Sequence, residues 1–154
     1  MRLVGWTIAM AAAGLAFPAQ AQMVSAKDPG TLVAALQAKG FQAQLGTTRG
    51  EPSISSGAGG VKFTIFFENC TAGKACTTVT FFTGFTDLEA TPAKMNEWNS
   101  QNRFTRAYLD KVNDPVLAMD VDLDHAGLPR ANFGEYLDIW SSLAAKYVAF
   151  LRGR

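Results

Sequence analysis

A helix that passes directly into a β-hairpin constrains this chain most. The stretch Glu97–Leu123 predicts a helix that ends at Asn102, followed by two strands, Phe104–Lys111 and Val116–Asp124. The residues between the strands end in Pro115 and favour a turn, since proline cannot donate to a ladder. Strands joined by so short a turn pair antiparallel. This part of the chain therefore predicts a helix followed by part of an antiparallel sheet.

Two segments upstream alternate apolar and polar residues, as strands with one buried face do. They are Val61–Glu68 and Cys76–Phe85, and weaker strands are predicted at Phe41–Thr48 and Pro52–Ser56. The glycine-rich run Ser55–Gly60 fits a hairpin turn better than a phosphate-binding loop. The reason is that it lacks the G-x-x-x-x-G-K-[ST] pattern and a strand, not a helix, follows it.

Capping residues predict two helices, and periodicity predicts a third. Asp28 and Thr91 each precede a proline, which is a strong helix-start signal, and Gly40 ends the first helix. The last helix carries an apolar stripe at i, i+3/i+4 spacing, formed by Phe133, Leu137, Trp140, Ala144, Tyr147 and Leu151. This order lacks β-α-β alternation. It predicts an α+β domain with a mostly antiparallel twisted sheet and helices packed on one face.

The N-terminus has the features of a secretory signal peptide. Arg2 precedes the apolar run Leu3–Phe17, and an A-x-A site predicts cleavage after Ala21. The apolar run is too short to span a membrane. We therefore expect a signal peptide at residues 1–21, a flexible mature N-terminus at residues 22–27 and a single domain at residues 28–154. Such a protein would be periplasmic or secreted, with no stable membrane insertion after cleavage.

Charge and cysteine usage narrow the classes of partner and site. The chain has 14 Lys and Arg against 13 Asp and Glu residues, and removal of Arg2 makes it formally neutral. This disfavours nucleic-acid binding, which depends on neutralisation of phosphates. Cys70 and Cys76 are expected to form a disulfide in an oxidising compartment. Their spacing, with a single histidine in the chain, does not predict a zinc site.

No residue pattern specifies a reaction or a cofactor. Asp120, Asp122 and Asp124 share one face of a predicted strand and are weak candidates for a divalent metal. They fail the EF-hand pattern, because His125 and Ala131 occupy the positions that need glycine and glutamate. His125 has no nucleophile paired with it in the sequence, so a hydrolase is only a weak alternative. We therefore predict no catalytic residues and no enzyme.

The junction between helix and hairpin supplies a candidate interaction surface formed by Trp98, Arg103 and Arg106. Trp98 could instead cap the sheet as a core residue, which is the preferred interpretation. The two arginines could pair with the nearby aspartates, and each such exposed pair would contribute about 0–1 kcal/mol.

The segment Pro92–Leu123, with E-W-N, N-R-F, R-A-Y-L-D and M-D-V-D-L in order, resembles the YbjN domain family, described as bacterial sensory transduction regulators. The strand that ends in F-F-E-N-C and the helix around Tyr136–Trp140 match the expected order of elements. The resemblance extends over about Asp28–Leu151. It implies a fold similar to class I type III secretion chaperones, which often dimerise, and a protein-binding module without catalytic residues.

We therefore expect a non-enzymatic, periplasmic binding or regulatory protein, chaperone-like in that it engages another polypeptide. The predicted signal peptide departs from cytosolic family members and favours the periplasm. The protein partner is unknown, and a homodimer is a further option. The alternative is a periplasmic protein that binds a small ligand or a divalent metal through Asp120, Asp122 and Asp124.

Overall fold

A computed structural model describes residues 22–153. The predicted signal peptide and its cleavage after Ala21 lie outside the described residues. The elements are β1 Met23–Val24, α1 Pro29–Ala38, β2 Gln42–Thr48, β3 Glu51–Ala58, β4 Val61–Glu68, β5 Thr78–Gly84, α2 Pro92–Gln101, β6 Arg106–Leu109, β7 Pro115–Asp122, β8 Leu128–Pro129 and α3 Arg130–Leu151. The predicted α+β class is confirmed.

Six strands form one antiparallel sheet in the order β2-β3-β4-β5-β7-β6. Consecutive strands are neighbours except at β5, which pairs with β7. Strand β6 enters from α2 and lies outside β7, so the two edges of the sheet are β2 and β6. The predicted hairpin of β6 and β7 is confirmed.

The core lies between one face of the sheet and the helices. Alternating residues of the central strands, such as Ile65 and Phe81, are fully buried there. The stripe of α3 packs on them, and the rings of Phe81 and Trp140 lie 5.6 Å apart between centroids. Trp98 of α2 packs edge-on against Tyr147 of α3 at 4.8 Å, which places α2 on the same side. The predicted apolar stripe of α3 is confirmed.

The expected flexibility of residues 22–27 is wrong. Met23 and Val24 pair with Pro129 and Leu128 in a small second sheet, and Val24 is fully buried. The carbonyl of Gln22 accepts a hydrogen bond of 2.8 Å from the backbone N–H of Arg130. A two-residue strand has no periodicity that a sequence could reveal.

Two predicted strand boundaries also need correction. The strand predicted at Phe104–Lys111 is only Arg106–Leu109, because Phe104 has φ +70° and cannot continue an extended strand. The strand predicted at Pro52–Ser56 is longer, since a two-residue turn of Arg49 and Gly50, both at positive φ, starts it at Glu51.

The cysteines lie in the loop between β4 and β5, rather than within the strands. The sulfur atoms of Cys70 and Cys76 are 2.10 Å apart, a bonded distance. Of the helices in the described part of the chain, none is both long and apolar enough to cross a membrane.

Candidate functional site

Within residues 22–153, no helix packs on the face of the sheet that points away from the core. We call it the outer face. On this face, the strand register brings Phe66 opposite Thr80 and Thr80 opposite Asp120. It also brings Phe82 and Arg106 opposite Ala118, one from each side. These positions alternate with the core residues of the same strands. The outer face is thus a fixed array built from four neighbouring strands.

Two of the concave regions are lined by residues that the sequence proposed as an interaction surface. One, of ≈ 580 Å³, lies on the outer face and includes Arg106, and the other, of ≈ 510 Å³, includes Arg103. Both fall within the volume range of ligand-binding clefts. The lining of the larger groove includes Arg49, Phe66, Glu68, Phe82, Arg106 and Tyr108. Its wall is aromatic in the centre and charged on either side.

The aromatic centre of the groove is a contacting pair with a third ring nearby. Phe66 and Phe82 meet edge-to-face, with centroids 5.5 Å apart and planes at 63°. Both are half-buried, and Tyr108 on the edge strand is 38 % exposed. These rings are partly solvated on a face whose other exposed positions are mostly polar. They are therefore available for contact with another molecule.

The charged part of the groove is built around Asp120. Arg106 donates two hydrogen bonds to its carboxylate, and the Thr80 hydroxyl donates a third at 2.6 Å. Burial acts to raise the pKa of Asp120, but these hydrogen bonds and the charge of Arg106 outweigh it and hold the pKa below its usual value. Asp120 is therefore a fixed anion at neutral pH.

The three aspartates proposed as metal ligands do not converge. Asp120 is engaged by Arg106, whereas Asp122 accepts from the backbone N–H of Asp124 at 3.0 Å. Asp124 in turn accepts from the N–H of His125, which is the main reason that its pKa lies below the usual value. Within residues 22–153, no group of three or more His, Cys, Asp or Glu side chains is arranged to hold a metal ion. The metal prediction is not supported by this geometry.

The predicted interaction surface of Trp98, Arg103 and Arg106 is not one surface. Trp98 is fully buried, and its indole N–H donates to the Thr105 hydroxyl at 3.2 Å. The preferred interpretation of Trp98 as a core residue is therefore confirmed, and its alternative assignment to a surface is wrong. Arg106 lies on the outer face. Arg103 lies on the helix side of the molecule, with its guanidinium 5.3 Å from the centre of the Phe104 ring. Only Arg106 belongs to the groove described above.

Phe104 marks the second concave region, which we call the helix-side groove. This residue is 56 % exposed, and it lines a concavity of ≈ 510 Å³ together with Ile139 and Leu143 of α3. An aromatic residue at positive φ is uncommon. The sequence assigned Phe104 to a strand, and the predicted interaction surface did not include it.

The rings of the outer face were also missed as a site. The alternation of residues along the two strands assigned Phe66 and Phe82 to the face of the sheet opposite the core. That assignment was the available signal. Nothing in the sequence showed that the two strands bring these rings into contact, or that Tyr108 of β6 lines the same groove.

Reactive groups in the described residues are few and separate. Both cysteine sulfurs are bonded to each other. His125 has a side chain that is 95 % exposed, and its Nε2 is 4.0 Å from the Asp124 carboxylate. The arrangement on the outer face offers apolar contact, hydrogen bonding and charge pairing, which are means of binding.

Comparison with known proteins gives a family and a fold. Residues 28–152 match the family model YbjN, described as "Putative bacterial sensory transduction regulator". The fold is similar to a solved structure described as "Crystal structure of YbjN, a putative transcription regulator from E. coli". The TM-score is 0.57 and the identity 17 %, over 84 % of this chain and 93 % of that chain. No curated protein matches the sequence.

Proposed function

Because this chain belongs to the YbjN family, we propose that it is a non-enzymatic regulatory protein that binds another polypeptide on the outer face of its sheet. The family description names a regulator rather than an enzyme. The polypeptide partner, the outer face as its site and a periplasmic location are our inferences.

The observation that carries the proposal is the contacting pair of Phe66 and Phe82 on the uncovered face. Aromatic residues and arginine are enriched in the cores of protein interfaces. Tyr108 and Arg106 on the edge strand β6 line the same groove and extend this composition across the sheet. A small-molecule site, by contrast, usually encloses most of its ligand. A groove that spans neighbouring strands of an uncovered face fits an extended polypeptide better.

The charges of the groove support a partner of mixed polarity. Arg49 and Arg106 are matched by Glu68 and Asp120 in the same lining. Groups of both signs create no strong single-sign field, which a polyanion such as a nucleic acid would need. A peptide that carries apolar side chains flanked by polar ones would satisfy both the rings and the charges.

The predicted signal peptide and the cysteine pair support a location outside the cytoplasm. The sulfur atoms of Cys70 and Cys76 are placed at a bonded distance, and disulfides persist mainly in oxidising compartments. We therefore propose that the partner is met in the periplasm.

Site-specific photo-crosslinking in the periplasm tests the proposal. A benzophenone amino acid in place of Phe82 should give a discrete covalent adduct with a second polypeptide. The same group at Gln37, an exposed position on α1, should not. Phe66→Ser in the Phe82-labelled protein should reduce the adduct at least about tenfold, because it removes the other half of the aromatic pair.

Circular dichroism and thermal melts of each variant would show that the fold is retained. A third label at Phe104 distinguishes the two grooves. Adducts at Phe104 but none at Phe82 would move the site to the helix-side groove. Equal adducts at Phe82 and Gln37, or no adduct at all, would overturn the proposal.

A further inference from the structure

We propose that two copies of this chain pair through the open edge of β2 to form one continuous antiparallel sheet. This goes beyond partner binding on the outer face and rests on different residues. The observation behind it is a difference between the two edges of the six-stranded sheet.

The edge at β6 is short and closed. Strand β6 has four residues, and the Asn99 side chain of α2 lies against it. The Asn99 amide donates to the carbonyl of Ala107 at 2.9 Å and accepts from its N–H at 2.7 Å. One side-chain amide thus occupies both backbone groups of Ala107, as a neighbouring strand would. Covering an edge in this way is a known protection against strand addition.

In the part of the chain that the structure describes, the edge at β2 has none of these protections. Its seven residues, Q-A-Q-L-G-T-T, include no charged residue and no proline, and all are exposed or half-exposed. Within residues 22–153, only β3 pairs with it. Charges, prolines, bulges and covering elements are the usual ways to block an edge strand. An uncharged edge that is paired over its full length on one side is ready to accept a strand on the other.

The hairpin turn shows which backbone groups face outward. Arg49 and Gly50 form a two-residue turn, so the closing pair Thr48–Glu51 is hydrogen-bonded. Hydrogen-bonded and non-hydrogen-bonded pairs alternate along an antiparallel ladder. The N–H and C=O groups of the alternate positions therefore point away from β3. These positions are Ala43, Leu45 and Thr47.

A two-fold axis at Leu45 matches these groups completely. Leu45 of one copy then faces Leu45 of the other, and Ala43 faces Thr47 in both directions. Each facing pair is a hydrogen-bonded pair, which exchanges two N–H···O=C bonds. Every outward-facing donor and acceptor of the three residues finds a partner. The strand is self-complementary, as a two-fold interface requires.

The side chain of Leu45 favours the same register. It lies opposite the buried Ile54 on the core side of the sheet, yet it is 51 % exposed. A second copy would place its own Leu45 directly across and cover both. The absence of charge in β2 means that this self-pairing brings no like charges together. These features select a second copy of the chain as the occupant.

The seam is small, so the dimer should be weak. A pair of seven-residue strands should bury less surface than a standard interface, which buries about 1,200–2,000 Å² in total. We expect dissociation in the micromolar range and a strong dependence on concentration.

Sedimentation equilibrium of the mature protein, from about 1 to about 200 µM, is the direct test. The wild type should shift from monomer to dimer. Leu45→Lys and Leu45→Glu should each weaken the dimer at least about 100-fold, because like charges would face each other at the axis. An equimolar mixture of the two variants should restore association as a heterodimer. Val112→Lys, at a residue 72 % exposed in a turn away from β2, is the matched control and should dimerise like the wild type.

Hydrogen exchange of the wild type gives a readout that needs no variant. The amides of Leu45 and Thr47 should gain protection as concentration rises, whereas that of Gly46, already bonded to β3, should change little. A wild type that stays monomeric throughout the range would overturn the proposal. If those amides were protected only by an unrelated polypeptide, the edge would be a peptide site instead. The Phe82 crosslink does not involve β2, so either proposal can fail alone.

Discussion

Asn99 and Ala107 are joined by a reciprocal pair of hydrogen bonds between a side-chain amide and a strand backbone. The Asn99 Nδ2 donates to the Ala107 carbonyl at 2.9 Å, and the Ala107 N–H donates to the Asn99 Oδ1 at 2.7 Å. The contact attaches α2 to the edge of the sheet. It also removes the free donor and acceptor that would otherwise make β6 an open edge.

Asn99→Ala should lower the free energy of unfolding by about 1–2 kcal/mol, since it leaves two partly buried backbone groups without partners. Urea unfolding measures the loss, and the amide of Ala107 should exchange faster in the native state. Ser100→Ala on the same helix is the control. The Ser100 hydroxyl donates only to the Glu97 carbonyl at an exposed site, so its change should stay within about 0.5 kcal/mol. Equal losses in the two variants would contradict this role for Asn99.

Local signals in the sequence predicted much of the fold. The cap-then-proline pairs located α1 and α2, and Asp28 and Thr91 do accept the capping hydrogen bonds. The stripe of α3 located the core, because a helix buries one side at fixed spacing. These features depend on residues a few positions apart, which is why they were readable.

Features that depend on the pairing of distant strands could not be predicted from the sequence. The meeting of Phe66 with Phe82 requires the pairing of β4 with β5, and the Asn99 contact requires β6 to lie at an edge. The formation of β1 depends on its pairing with Leu128 and Pro129, which lie about a hundred residues later in the chain. Phe104 was misassigned because its positive φ is set by the helix-to-strand junction rather than by its own preference.

Arg106→Met should raise the pKa of Asp120, because it removes the donor and the positive charge that outweigh burial. A carboxyl group whose pKa is lower in the folded than in the unfolded protein adds to stability at pH values above its unfolded pKa. This contribution is lost as pH falls through the folded pKa. The wild type should therefore keep this contribution to more acidic pH than the variant. The pair is half-exposed, so the difference at neutral pH should be about 0–1 kcal/mol.

Carbon-13 NMR titration of the Asp120 carboxyl, together with urea unfolding between pH 3 and 6, measures both effects. Arg103→Met is the control, since Arg103 lies beside Phe104 rather than Asp120. An Asp120 pKa that is the same in all three proteins would show that Arg106 does not set it.

Replacement of both Cys70 and Cys76 by alanine should lower stability modestly and leave folding cooperative. The closed loop has about 7 residues, for which the loop-entropy model gives about 2.4 kcal/mol. Thermal unfolding measures the loss. Reduction of the disulfide in the wild type should lower its Tm by about as much as the double replacement does. Loss of cooperative unfolding in the double variant would mean that the disulfide, rather than the core of α3 and the sheet, holds the fold.

Gly127→Ala should release the N-terminal strand. Gly127 has φ +77°, and a Cβ there would overlap with the Val24 carbonyl oxygen, so the β1–β8 pairing must shift. The backbone conformation alone costs about 1 kcal/mol for alanine. Gly40→Ala is the matched control, because Gly40 has φ +82° with nothing within 4 Å of its Cβ position. The loss of unfolding free energy should therefore be about 1–3 kcal/mol larger for Gly127→Ala than for the control in chemical unfolding. Gly127→Ala should also make the peptide bonds around Val24 sensitive to protease. Equal effects of the two substitutions would show that the close approach of Gly127 to Val24 is not required for the fold.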